Sequence, residues 1–226
     1  RVIKMEYTEQ LKTFFERHAN PVIAEPMAKY MRNKFLYLGL KTPERKLLNK
    51  QFFKEHGYPD KKDFEKIILD LWELPQREYQ YIALDILEKF IKKLEKNDIA
   101  LLEKLIIQKS WWDTVDYLAT RIIGEYFKKY PENIILYTSR WIDSENIWLQ
   151  RTAILFQLKY KKETDKELLF RYINKCSDTK EFFINKAIGW ALREYVRTDK
   201  AWVVDFVQNS RLSNLSIREA LKHVRV

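Results

Sequence analysis

Gln150-Arg151-Thr152-Ala153-Ile154-Leu155-Phe156 is one copy of a pattern that occurs three more times in the chain: Gln80-Tyr81-Ile82-Ala83-Leu84-Asp85-Ile86, Asp116-Tyr117-Leu118-Ala119-Thr120-Arg121-Ile122 and Ile184-Asn185-Lys186-Ala187-Ile188-Gly189-Trp190. The four alanines stand 36, 34 and 34 residues apart. Three places after each comes a bulky apolar or aromatic residue: Ile86, Ile122, Phe156 and Trp190. Three places before stand Gln80, Asp116, Gln150 and Ile184. A small residue at a fixed point lets neighbouring helices approach, and the bulky one fills the next layer. A period of about 35 residues with two helices per unit is the signature of an α-solenoid of the HEAT or TPR kind. A non-repeating helical bundle with four alanines in step by chance is the alternative.

Outward from these segments the chain reads as helix throughout. There are only four Gly and six Pro, a scarcity that favours long helices over turn-rich sheets. Pro21, Pro43, Pro59, Pro75 and Pro131 stand beside polar residues, each ahead of a stretch with helical periodicity. Thr42 and Ser144 are the expected N-caps, because a hydroxyl takes up free amides of the first turn. Ile67, Ile68, Leu71 and Trp72 form one apolar stripe, and Leu101, Leu102, Leu105 and Ile106 another. About a dozen helices of roughly 10 to 18 residues follow, joined by short loops. The fold expected is all-α, a right-handed α-solenoid of HEAT-like helical repeats with a concave basic face, forming a single domain over residues 1–226.

Of the 226 residues, 46% are hydrophobic and 15% aromatic, which excludes disorder because ample surface is available to bury. No uncharged apolar run of 18 residues exists, so no membrane span is expected. The opening RVIKMEY has no apolar signal core, and a cytoplasmic location is the expectation. Cys176 is alone and the three histidines are scattered, so neither a disulfide nor a zinc site is expected, and no metal or cofactor. Lys plus Arg number 42 against 32 Asp plus Glu, a net charge of +10 that attracts polyanions. Nucleic acid is the first candidate partner, and a generally basic protein is the alternative.

The repeat gives the charge an arrangement. Lys92, Lys128 and Lys162 fall nine places after successive alanines, with Lys93, Lys129, Lys161 and Arg197 next to this register. Such a stripe either tracks phosphates along one edge or complements the helix macrodipoles at C-terminal ends. No Gly-rich phosphate loop, GxSxG elbow or HExxH pair is present.

One layer departs from the pattern. Ser110-Trp111-Trp112-Asp113-Thr114-Val115-Asp116-Tyr117 opens the helix carrying Ala119. Trp111, Val115, Leu118 and Ile122 form its core stripe, whereas Trp112 and Asp116, four apart, share an adjacent strip. A carboxylate thereby occupies the position held by Gln or Ile in the other repeats. Arg151 stands in the next repeat near Trp148, and Trp190 in the last. Gly189 sits in mid-helix at a cost of about 1 kcal/mol relative to alanine, a sign that something approaches the backbone closely. Each indole alone is equally at home in a core, Asp113 complements a helix dipole, and Arg151 is able simply to pair with a carboxylate.

The block Lys109–Asp116, with Leu149–Ala153 and Glu181–Tyr195, closely resembles the AlkD family of alkylpurine DNA glycosylases, which are built from HEAT-like repeats. Pro26–Met31 and Phe35–Gly39 are similar to the family's N-terminal region, so the resemblance runs over residues 11 to 224. It implies that Asp116 is the catalytic carboxylate and that Trp112 and Trp190 line the lesion cleft. Arg151 is implied to contact the DNA backbone, and Tyr30 to close the site. Asn185 departs from the family, where a longer or basic residue is expected, and one phosphate contact is thereby in doubt. The implied partner is double-stranded DNA containing alkylated purines, bound by a monomer and processed without strand cleavage. A non-catalytic DNA-binding solenoid and a protein-interaction scaffold are the rival readings.

Overall fold

The computed structural model describes residues 6–224, divided between a unit ending at Phe90 and a unit beginning at Ile91. Every regular element among them is helical, apart from an isolated bridge between Leu36 and Gln76. The first unit holds α1 (Tyr7–Glu16), α2 (Pro21–Tyr30), α3 (Thr42–His56), α4 (Phe64–Glu73) and α5 (Arg77–Phe90). Its core gathers Leu11, Phe15, Phe52, Ile68, Leu71 and Trp72, all buried. The loop before α3 is fixed by Glu78, whose buried carboxylate accepts the backbone N–H groups of Leu38, Gly39 and Leu40 at 2.9, 2.9 and 3.1 Å. Gly39 is required there: its φ is +91°, and a Cβ would lie 2.0 Å from the Asn20 carbonyl oxygen.

The second unit continues with α6 (Ile99–Ile107), α7 (Trp112–Tyr117), a π-helical segment (Leu118–Ile123) and α8 (Gly124–Lys129), the last three running on without a break. Then come α9 (Asn133–Ile142), α10 (Ile147–Leu155), α11 (Lys166–Lys175), α12 (Phe182–Tyr195), α13 (Lys200–Asn209) and α14 (Asn214–Ala220). Helices α5, α7, α10 and α12 begin at Arg77, Trp112, Ile147 and Phe182, 35 residues apart each time. Ala83, Ala119, Ala153 and Ala187 are all buried, as are Ile86, Ile122 and Phe156, so the repeat written in the sequence is a repeat of structure. Within this unit α10 packs against α7, α9 and α12, and α12 against α14. The fold is an all-α array of HEAT-like helical repeats. No helix among the described residues is long and apolar enough to cross a membrane.

Two helix starts differ from expectation. The N-cap of α3 is Lys41, with Thr42 already inside the helix, and Pro43 preorganises its first turn. At α10 the cap is Asn146, whose Oδ1 accepts from the N–H groups of Trp148 and Leu149, while Ser144 Oγ accepts from Asn146 N. An Asx side chain reaches two and three residues ahead as readily as a hydroxyl, and here it lies nearer the helix. Three helices are shorter than expected, α6 and α10 at nine residues and α14 at seven.

Gly189 has a structural reason. A Cβ on it would come within 2.5 Å of Glu219 Cβ and 3.0 Å of the Ser216 carbonyl oxygen, so the close approach is that of α14. In an exposed helix Gly→Ala stabilises by about 1 kcal/mol. Here Gly189→Ala forces α14 away and is expected to destabilise by about 1–3 kcal/mol. Thermal melting reads this as a fall in Tm of roughly 2–4 °C per kcal/mol.

Candidate active site

Helix α6 ends at Ile107, and the chain turns through Lys109, whose φ of 48° is in the left-handed region. Ser110 Oγ donates back to the Ile106 carbonyl, and Trp111, extended, caps α7. This local arrangement follows from what position 116 lacks. In the repeat before, the buried Gln80 amide donates to the carbonyls of Leu71, Trp72 and Leu74 at 3.2, 3.0 and 2.9 Å and thereby finishes α4. Gln150 likewise donates to the Ser144 carbonyl at 2.7 Å. Asp116 has no N–H to give, so it cannot serve the helix end, and its carboxylate turns to the following repeat instead.

There it meets Arg151. Arg151 Nε donates to Asp116 Oδ1 at 2.7 Å and Nη2 to Oδ2 at 2.9 Å, a two-pronged pairing of guanidinium and carboxylate. The third nitrogen, Nη1, donates to the Phe183 carbonyl in the first turn of α12. Three consecutive repeats are thus joined through one guanidinium. The Arg151 side chain is 6% exposed and that of Asp116 17%, so the arginine is enclosed and the aspartate side chain partly open. Burial, the larger influence, pushes the Asp116 carboxyl above the usual aspartate range; the hydrogen bonds and charge of Arg151 pull it down, and the charge of Asp113 adds to the rise.

An aromatic wall backs the pair. Trp111, Trp148 and Phe183 pack mutually, with ring centroids 5.6 Å (Trp111–Trp148), 4.9 Å (Trp111–Phe183) and 5.0 Å (Trp148–Phe183) apart, and the Arg151 guanidinium carbon lies 6.0 Å from the Phe183 ring. Immediately after Asp116 the helix widens into the π segment. Thr120 Oγ1 donates to the Asp116 carbonyl at 2.7 Å, taking up an acceptor where the regular ladder changes register. Gly124 admits the next repeat here, since a Cβ would lie 2.7 Å from the Phe156 carbonyl oxygen.

Trp112 shares α7 with Asp116 and is half-buried, whereas its neighbour Trp111 is buried in the core, as the stripe required. Trp190 is also half-buried. It lines a groove of about 500 Å³ with Arg193, Arg197, Lys222 and His223, a set that does not include Asp116. Tyr30 ends α2 in the first unit and is 75% exposed. The structure therefore brings Asp116 and Arg151 into direct contact and gives the two indoles open faces on their own helices. Asn185 is buried: its Nδ2 donates to the Thr179 carbonyl at 3.1 Å, and its Oδ1 and carbonyl oxygen accept from Ser216 Oγ at 3.3 and 2.9 Å. It fastens α12 to α14.

The lysine register divides between the two readings. Lys129 Nζ donates to the carbonyls of Lys92 and Leu94 at 3.1 and 2.7 Å, in the segment between α5 and α6, and Lys128 pairs with Glu125 at 3.1 Å. These two, though exposed, are engaged within the protein. Lys92 and Lys162 are exposed. Sequence reasoning missed the Phe183 carbonyl as an anchor, and it allowed Arg151 a carboxylate partner without naming Asp116. The second had a signal: the two residues stand one repeat apart.

A family model described as DNA alkylation repair enzyme matches residues 11–224. A solved structure described as a predicted DNA alkylation repair enzyme from Enterococcus faecalis is 33% identical, with a TM-score of 0.84 over 91% of this chain and 96% of that one. AlkD2 from Streptococcus mutans, 18% identical, superimposes with a TM-score of 0.60 over 79% of this chain and 89% of its own. A further Streptococcus mutans structure, 17% identical, gives 0.60 over 93% and 100%. At such identities the last two speak for the fold alone. No curated protein matches by sequence. The chain, with its repeats and its Asp116–Arg151 layer, belongs to the DNA alkylation repair enzyme family.

Proposed function

We propose that the protein is a monofunctional DNA glycosylase that excises positively charged N3- and N7-alkylated purines from duplex DNA. The observation that carries this reading is the Asp116 carboxylate, gripped on both oxygens by a buried Arg151 on a side chain that is still 17% exposed. A purine alkylated at N3 or N7 is already cationic. When the bond from sugar C1′ to the base nitrogen breaks, its electron pair leaves with the purine and neutralises it, and positive charge develops on the sugar. A fixed carboxylate beside that sugar favours the transition state over the ground state, because its charge is aligned before the reaction begins. Water then bonds to C1′ through oxygen and releases a proton, for which Asp116 is the acceptor. No lysine nucleophile is invoked, so the strand stays uncut.

Trp112 and Trp190 are assigned to the damaged base. An indole face attracts a cation with about 0.5 to 2 kcal/mol depending on exclusion of water, and a neutral guanine offers no such handle. Arg151, enclosed and fully engaged, is assigned a positioning role: it orients the carboxylate and opposes the effect of burial on its protonation.

Asp116→Asn retains the shape and loses the charge. Single-turnover release of 7-methylguanine from methylated duplex DNA is expected to fall by about 100-fold or more. A rate equal to wild type would overturn the catalytic assignment.

The pH dependence has a definite sign. The reaction needs the ionised carboxylate, so activity is lost as pH falls, at a higher pH than an ordinary aspartate would give. Arg151→Lys keeps a charge without the paired donors. The acid limb of the rate profile is expected to move further up in pH. Arg151→Ala leaves a carboxylate buried alone and should cost about 3–5 kcal/mol of stability, read by thermal melting.

A further inference from the structure

Helix α3 carries Lys46, Lys50 and Lys54, one per turn along a single face, above a groove of about 600 Å³ in the first unit. Lys89 of α5 closes its other side, and Phe53 and Tyr58 form its apolar floor. Two acids share the groove, Asp85 and Glu88. Asp85 is already saturated: Arg45 donates to it, Lys46 Nζ reaches Oδ1 at 2.5 Å and Asn49 Nδ2 reaches Oδ2 at 2.6 Å. Among the described residues no ion pair engages Lys50 or Lys54, and both are exposed. The groove is thus cationic after its own internal pairing is complete.

Its aromatic floor is held rigidly. Tyr58 stacks on Phe53 with centroids 4.3 Å apart at 17°, and Lys89 Nζ lies 5.4 Å from the Tyr58 centroid. Gly57 before it takes φ +75°, and Tyr7 Oη donates to the Gly57 carbonyl at 2.9 Å, while Pro59 follows it. The ring, 40% exposed, is therefore presented at the groove by a fixed turn. Lysines four apart on a helix rise about 6 Å per step. One face of the Tyr58 ring lies on Phe53, and Lys89, itself exposed, lies over the ring, so a base reaches the ring by displacing that lysine. Exposed lysines beside such a ring are the two components by which proteins hold an unpaired strand, charge following the backbone and a base stacking on the aromatic.

We propose that this groove of the first unit binds a single nucleic-acid strand, with Lys50 and Lys54 on its phosphates and a base stacked on Tyr58 in place of Lys89. This goes beyond the glycosylase reading, which concerns duplex DNA and residues of the second unit. The test is fluorescence anisotropy of the whole protein with a labelled oligo(dT) 12-mer and with a labelled 12-base-pair duplex, at several salt concentrations. Tyr58→Ala is expected to weaken oligo(dT) binding about tenfold while duplex binding stays within about twofold, and Tyr58→Phe, which keeps the stacking face, to bind as wild type. The double variant Lys50→Ala/Lys54→Ala, both at exposed positions, should reduce the slope of log K against log salt by about 1.4 for the single strand. Absence of oligo(dT) binding by the wild type overturns the proposal, as does an unchanged affinity in Tyr58→Ala. An equal loss for the duplex and the single strand in both variants overturns it too, because the groove is then a duplex contact.

Discussion

One ion pair organises the second unit. Arg151 grips both oxygens of Asp116 and anchors its remaining nitrogen on the Phe183 carbonyl, so a single planar group fixes the relation of three helices that begin 35 residues apart. Two charges taken out of water are costly to desolvate, and their attraction repays this only when every donor finds an acceptor. At the arginine each of the three nitrogens has an acceptor. The aromatic wall of Trp111, Trp148 and Phe183 keeps water from competing for the guanidinium, and each of those rings comes from a different repeat. The pair therefore depends on repeat packing as much as packing depends on it. A small shift of α10 against α7 would part the paired donors from their acceptors.

The repeat itself rests on small residues at fixed points. Buried alanines let the second helix of each pair lie close to its neighbours, and Gly124 and Gly189 do the same where even a methyl group is too large. Rigidity of this kind matters for a site whose effect is electrostatic. A carboxylate that must reorganise when charge appears on a sugar loses most of its advantage, whereas one already held on two oxygens does not.

Much of this was legible in the sequence. The alanine register gave the period, the helix pairs and the core stripe of α7, because burial in a solenoid recurs at equivalent positions and leaves a periodic trace. Asp116 stood out for the same reason: it breaks a position that two other repeats fill with glutamine. The commitments of individual polar groups were not legible. Asn146 rather than Ser144 caps α10, Lys129 binds the Lys92 and Leu94 carbonyls, and Gly189 admits α14. In each case two partners competed for one group, and the winner was set by distances that no spacing rule contains. Arg151 lies between these extremes, since its separation from Asp116 is one repeat but its burial is a matter of packing.

The contrast between Gln80 and Asp116 shows how a structural position becomes a chemical one. An amide at this point donates to carbonyls and completes the helix before it, which places its side chain wholly inside the protein. A carboxylate is an acceptor only, so the same backbone cannot direct it to the same carbonyls. The helix end must then be served by another donor, and Ser110 serves it. Freed from that task, the carboxylate needs a cation from elsewhere, and the nearest equivalent point in the next repeat supplies Arg151. The arginine approaches from the following helix, and the Asp116 side chain stays partly exposed. A single change from amide to acid, with two compensating donors, thus converts an interior brace into a charged group at the surface of a rigid wall, and that is the form an anion must take to act on a sugar it does not bond.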